Sequence, residues 1–271
     1  MKPKSIASTN GFDFLVAMIA AAFFAFVVLV LLALVTTTSI AEFWDQLHSP
    51  VVFSAIWISL QTSLAVVLFA FLFGFPIAYL LALKNFPGKA LLDTLLDLPI
   101  VMPPLVSGLA LLILLSGDGL LGGILCRLDI SLIFTKKGII IAQFFVAAPF
   151  FIKTARESIS AIPANLLAAS ATLNASVFYT FRHLIFPLSR HGILAGLVMT
   201  WARALGEFGA TAMVAGCIPL KTETMTIAIY MQAMSGGLGA ATAIALILMA
   251  FSFVFLLVLK AGLRHKNECN P

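Results

Sequence analysis

Residues 14–36 contain no charged side chain, and that run limits the possible folds more than any other feature. A hydrocarbon core about 30 Å thick takes roughly 20 apolar residues of helix to cross. Within it every backbone N–H and C=O must bond inside the protein, which selects helices or closed barrels. Further apolar stretches at about 53–83, 95–116, 138–152, 192–216 and 239–260 repeat the pattern. Of the 271 residues 62% are hydrophobic and only 10% charged, with a mean hydropathy of +1.12. Soluble domains are about a quarter charged. The reading is an all-α integral membrane protein with about six transmembrane helices. The first run is too long for a signal peptide and lacks a small-residue cleavage site, so it reads as an uncleaved anchor.

Charge sets the expected topology. Lys and Arg accumulate in cytoplasmic loops. With the N-terminus inside, the inner segments hold Lys2, Lys4, Lys84, Lys89, Lys153, Arg156, Arg182, Arg190, Lys260, Arg264 and Lys266. The outer segments hold Arg127, Lys136, Lys137 and Lys221, and Arg203 stays in the membrane. Both termini are therefore expected in the cytoplasm. Lys136 and Lys137 oppose the rule, and read as a headgroup anchor or as a contact for an acidic partner.

The longest inner segment, about 153–191, has room for two short helices. Pro163 suits the first turn of a helix over Ala164 to Leu173, because its missing N–H costs nothing there. Asn174 falls where a left-handed residue would end that helix. Ser176 can cap a second helix through Phe181 and His183, and Pro187 is expected to separate it from the fifth span. This predicts a helix–turn–helix at the cytoplasmic surface. Pro76, Pro99, Pro103 and Pro104 predict kinks in the second and third spans.

Chemistry-bearing residues are few. In the fifth span Gly196, Thr200, Arg203, Glu207 and Thr211 recur at steps of three or four, which predicts one polar stripe along a helix. Charges in a membrane are costly unless they face the interior and are paired. Arg203 and Glu207, four apart, can pair with each other. The stripe either makes a structural ion pair or lines a pathway or its gate. Glu207 would repel a doubly charged anion, which argues against a tight anion site there. Asp93 and Asp97, near Lys84 and Lys89, read as structural. His183 and His191 have no Cys or carboxylate at metal spacing. The dispersed Cys126, Cys217 and Cys269 point to neither a disulfide framework nor a metal site. No serine sits in a G-x-S-x-G elbow, and no G-x-x-x-x-G-K-[ST] phosphate loop occurs. The chain is not read as an enzyme.

Several blocks resemble one family. Ala168-Ala169-Ser170, three residues, Asn174, nine residues, then Leu184-Ile185-Phe186-Pro187 is similar to the EAA loop of ABC importer permeases. Leu98-Pro-Ile-Val-Met-Pro-Pro104, Gly74-Phe-Pro-Ile-Ala-Tyr79 and Ala148-Pro-Phe150 resemble further blocks of those permeases. Arg203-Ala-Leu-Gly-Glu-Phe-Gly-Ala-Thr211 looks most like the molybdate permease subunit. Ala168 stands where the motif has its acid, and Asn174 where it has glycine. Cys217, Leu220 and Thr226 also depart from the molybdate pattern.

The resemblance implies a type I ABC importer transmembrane domain over 53–260, after an anchor helix and first extracytoplasmic loop (1–52) and before a cytoplasmic tail (261–271). It implies two copies of the chain in a bacterial-type cytoplasmic (inner) membrane. Each copy would dock an ATPase subunit through Ala168, Ala169, Ser170, Asn174, Leu184 and Pro187, and would receive substrate from an extracytoplasmic binding protein. No cofactor or metal is expected on this chain, since ATP and Mg would sit on the ATPase. No nucleic-acid partner is expected. The implied substrate is molybdate or a related oxyanion, with tungstate and sulfate or thiosulfate open. The alternative classes are an ATP-independent channel or secondary transporter, and a membrane-embedded enzyme, for which no nucleophile–base pair is present.

Overall fold

The computed structural model describes residues 10–268, with side chains within 11–257. Lys2, Lys4 and the side chains of Lys260, Arg264 and Lys266, which enter the charge count, lie outside the described residues. The described chain is helical throughout, without strands. Helix α1, Asn10–Thr37, is followed by α2, Ile40–His48. Helix α3, Pro50–Phe69, runs through a π-turn, Ala70–Gly74, into α4, Phe75–Leu83. Then come α5, Lys89–Val101; α6, Pro104–Leu115; α7, Gly122–Arg127; and α8, Lys136–Ser160. The second half holds α9, Ala164–Thr172; α10, Val177–Thr180; a π-turn, Phe181–Ile185; and α11, Phe186–Leu205. It ends with α12, Gly209–Ala215; α13, Met225–Met234; and α14, Leu238–Glu268.

Five of these segments are long and apolar enough to cross a membrane, and the α5–α6 pair, bent by 111°, makes a sixth. The third span, expected over 95–116 with a kink at its prolines, is bent as expected, and the bend is a sharp corner. Its helical part begins at Lys89, and the chain turns sharply at Met102-Pro103 before α6 starts at Pro104. The physical reason is the Pro103-Pro104 pair. Each proline lacks an N–H and holds the residue before it extended. Pro99 sits inside α5 without ending it, and Pro149 inside α8. The fourth span, expected to be short, is a 25-residue helix.

Helix α8 is the hub, packed on α3, α4, α11 and α12. Its Gln143, Val146, Ala147, Phe151 and Ala155 are buried. A small residue allows its closest approach. A Cβ at Gly192 of α11 would collide with Ser158. Helix α1 contrasts with α8: none of its window is buried, and its neighbour is α14, which it joins through a 2.8 Å bond from Thr38 Oγ1 to Thr242 Oγ1. Helix α2 opens with a capping box in which Ser39 Oγ accepts from Glu42 N–H and Glu42 accepts from Ser39 N–H. Those bonds hold the Glu42 carboxyl below its ordinary range. The box is therefore formed at neutral pH and is lost as pH falls through that lowered value.

Two prolines that were expected to interrupt spans are accommodated. Pro76 and Pro187 each follow a π-turn by one residue. A proline ring clashes with the carbonyl four residues back. Here those carbonyls belong to Leu72 and His183, inside the two widened turns. In the second turn Phe186 N–H donates to Phe181 O, five residues back. Pro187 thus does not separate the second short surface helix from the fifth span. Val177–Leu205 is one continuous helical segment. The π-turn regions meet in an aromatic cluster, with Phe75 5.8 Å from Phe181 and 6.4 Å from Phe186.

Gly108 provides a test of this packing. A Cβ there would lie 2.7 Å from Met213 Cβ and 2.8 Å from Ala210 Cα, whereas Gly123 has open space around it. Gly108→Val should push α6 from α12 and lower stability by about 1–3 kcal/mol. Gly123→Val serves as the unaffected control. Thermal unfolding of the detergent-solubilised proteins, followed by loss of the monodisperse peak, measures both.

Candidate functional site

Residues 163–187 form the expected surface element. Pro163 is the N-cap of α9, and Asn174 takes the left-handed conformation at φ 55°. Leu173 N–H donates to Ala169 O at 3.1 Å and Asn174 N–H to Ala171 O at 3.0 Å, closing the helix. Ser176 Oγ accepts from Tyr179 N–H at 3.2 Å, and Thr180 Oγ1 donates to Ser170 Oγ at 3.4 Å, tying α10 to α9. Leu167 anchors the element on buried Ile159, Ile162 and Ile185. The rest stands in the open. Ala168, Ala169 and Asn174 are exposed, as are the apolar Leu173, Val177 and Phe178. No acid occurs between Glu157 and Glu207, so this surface is apolar with a basic flank at Arg182 and His183. His183 stacks on Tyr179 with ring centres 4.2 Å apart.

The polar stripe of the fifth span is not one helix. Helix α11 ends at Leu205, and Gly206–Phe208 separates it from α12. The break leaves the first N–H groups of α12 without helical partners. Glu207 resolves this. Its Oε1 accepts from Ala210 N–H at 2.9 Å, and its Oε2 lies 2.7 Å from Arg203 Nη1. A carboxylate at a helix N-terminus also meets the positive end of the helix dipole. The Glu207 side chain is 1% exposed and that of Arg203 29%, so the member facing outward is the cation.

The other stripe residues face inward. Thr200 Oγ1 donates to Ala147 O of α8 at 3.4 Å, Gly196 abuts Phe151 and Thr154, and Thr211 is buried. The open face of α11 carries Ala195, Met199, Ala202 and Gly206 instead. Small residues at steps of three and four were the available signal for that face.

Sequence reasoning also missed the seat of α13. Met225 N–H donates to Ser59 Oγ at 2.9 Å, and Thr226 Oγ1 donates to the Glu207 carbonyl at 2.9 Å. Ser59 lies nine residues into α3, about 14 Å along it at 1.5 Å per residue. The chain after α12 therefore folds back to the depth of the ion pair. Thr222, Glu223 and Thr224 are buried there, with Glu223 Oε2 lacking a hydrogen-bond partner.

At the end of the bundle that carries α9, Asp97 pairs with Lys153 and Asp93 with Arg156, joining α5 to α8. Nearby, Lys89 Nζ donates to Lys84 O and Asn85 Oδ1. Among the described residues no group of His, Cys, Asp and Glu is arranged to hold a metal.

With a kinked, six-span bundle, a protruding surface element and a mid-chain ion pair in hand, comparison with known proteins decides the family. The profile of the binding-protein-dependent transport system inner membrane component matches residues 74–262. The chain belongs to this family. It is therefore a multi-pass inner-membrane protein. A probable transport system permease, NifC of Clostridium pasteurianum, is 37% identical over 174 residues, 64% of this chain and 61% of that protein. The sulfate permease CysT of Salmonella typhimurium is 34% identical over 192 residues, 71% and 69% of the two chains. The molybdate/tungstate permease WtpB of Thermococcus kodakarensis is 41% identical over 169 residues, 62% and 63%. This chain thus spans less than two thirds of the clostridial and Thermococcus relatives. The fold is shared with a chain in the crystal structure of a bacterial ABC transporter involved in the import of the acidic polysaccharide alginate. That chain aligns with TM-score 0.76 at 16% identity, covering 94% of this chain and 96% of that one.

Removing one partner of a buried ion pair costs about 3–5 kcal/mol, and the lower end applies here because Arg203 is partly solvated. Glu207→Gln retains an oxygen for Ala210 N–H, whereas Glu207→Ala loses cap and charge together. Glu207→Ala should melt lower than Glu207→Gln by an increment of about 1 kcal/mol, the worth of an N-cap. Equal melting of the two variants would show that the cap bond contributes nothing.

Proposed function

We propose that this chain is the membrane-spanning subunit of an ATP-driven ABC importer for molybdate or a closely related oxyanion. One observation carries the reading. A single continuous helical segment, Val177–Leu205, has the exposed apolar element at one end and the Arg203–Glu207 break at the other. Displacement of the surface element is thereby transmitted along one rigid body to the buried break, which is what alternating access by a docked ATPase requires.

In this reading α9 and α10, with Ala168, Ala169, Ser170 and Asn174 at the turn, seat in an ATPase subunit, while Leu184 and Pro187 join the element to α11. ATP and Mg are held by that ATPase. Two copies of the chain form the passage, with both termini in the cytoplasm and a binding protein delivering substrate on the far side. The family description supports the binding-protein partner. Arg203 is the member of the predicted stripe that meets the anion. Glu207 and Thr211 hold it from behind, and Gly196 and Thr200 set the contact with α8. The match to a molybdate/tungstate permease and the block from Arg203 to Thr211 favour molybdate, and the sulfate permease relative keeps sulfate as the second substrate.

Two experiments test the reading. Phe178→Asp should cut co-purification of the ATPase about thirtyfold, the ~2 kcal/mol of an interface hot spot, with the permease itself still monodisperse. Uptake of radiolabelled molybdate into proteoliposomes holding the permease, its ATPase and binding protein should require ATP. It should fall about tenfold or more in Arg203→Gln, a loss of ~1.4 kcal/mol or more in transition-state stabilisation. Uptake that continues without the ATPase would overturn the importer reading, and competition by sulfate but not tungstate would reassign the anion.

A further inference from the structure

The side of α8 opposite α11 has a cavity of about 370 Å³ between α4, α5, α6 and α8. Every side chain lining it is apolar, with Ile77, Leu95, Leu96, Phe145, Pro149 and Ile152 prominent. Ile77 is 38% exposed and Leu95 48%, so it opens sideways rather than being sealed. Water gains nothing in an apolar space of this kind, and an empty one forfeits the dispersion contacts of its lining. In a bilayer the matter available to fill it is an acyl chain.

One turn further along α8 the lining changes from apolar to charged. Ile152 lines the cavity. Lys153 and Arg156 line a second hollow of about 290 Å³ together with Asp93, Glu157 and Ser160. On α5 the same change occurs between Leu95, which lines the cavity, and Asp93, which lines the charged hollow. The Lys153–Asp97 ion pair therefore stands at the junction of the two spaces. Each pair engages a single carboxylate oxygen, Oδ1, so the second oxygen of each acid and further N–H donors of each base are available. The four side chains are between 29% and 44% exposed.

We propose that the two spaces form one amphiphile site, occupied by a bilayer phospholipid with an amine headgroup such as phosphatidylethanolamine. The acyl chain lies in the cavity beside Pro149 and Leu95. The phosphate takes N–H donors from Lys153 and Arg156, and the ammonium group donates to Asp93, Asp97 or Glu157. Three bases, counting Lys89 beside Asp93, against three acids make a balanced set, which favours a zwitterionic headgroup over a purely anionic one. The site spans α5 and α8, next to the 111° bend, so the bound lipid braces the bent third span against the hub helix.

The test is native mass spectrometry of the full-length protein in the assembly it forms, delipidated and then titrated with phosphatidylethanolamine or phosphatidylglycerol. One phosphatidylethanolamine per chain should be retained about fivefold better than phosphatidylglycerol, a modest difference of the size expected for partly solvated charges. Leu95→Trp, at a half-exposed position, should fill the mouth and lower retention of both lipids. Ile77→Trp is the second filling variant should Leu95→Trp fail to give monodisperse protein. The double variant Asp97→Asn with Glu157→Gln removes two acceptors of the ammonium group and shifts the cluster toward positive charge, and should equalise the two lipids while retaining them. Equal retention of both lipids by the wild type, or retention unchanged by the filling variants, overturns the proposal. Disulfide cross-linking of Ile77→Cys between two copies would assign the cavity to a subunit contact and overturn it as well.

Discussion

One carboxylate, that of Glu207, meets three demands created by breaking a helix inside an apolar bundle. It neutralises Arg203, it satisfies a backbone N–H of α12, and its own residue's carbonyl receives Thr226 at the start of α13. Unbonded backbone groups cannot be left in hydrocarbon, so a broken span needs such a residue. The returning segment with Thr222, Glu223 and Thr224, the burial of Thr211 and the outward placement of Arg203 all follow from seating this group in the interior. An apolar residue there would leave both a cation and a helix end without partners.

The prolines show a different solution to the same constraint. Pro103-Pro104 produce a true corner, whereas Pro76 and Pro187 are absorbed by widened turns that move the offending carbonyl aside. The outcome is mechanical. A corner lets α5 and α6 differ in direction, while an absorbed proline leaves the segment from α10 to Leu205 as one body. Together these give a bundle with rigid struts and a few defined places where direction changes.

Much of this was legible in the sequence. The apolar runs gave the number of spans, and Pro163, Asn174 and Ser176 gave the surface element, because each acts on its own backbone within one or two turns. The Arg203–Glu207 pair was visible for the same reason. What was not legible depends on a second segment. Whether Pro187 ends a helix depends on a wide turn packed against Phe75. Whether Gly196 and Thr200 face in or out depends on α8. The partners of Asp93 and Asp97 lie some sixty residues away in sequence, at Lys153 and Arg156, where local spacing gives no hint. The chain's doubling back to Ser59 likewise has no periodic signature.

Helix α1 has a consequence of another kind. Its backbone is satisfied within itself, none of its window is buried, and Thr38, just past its end, hydrogen-bonds Thr242 of α14. The bilayer alone accounts for its insertion, and the interior built around α8 closes without it. Such a helix is a modular addition: shortening or replacing it disturbs no buried residue of its own, while any change at Glu207 reaches two helices and the segment that returns to them.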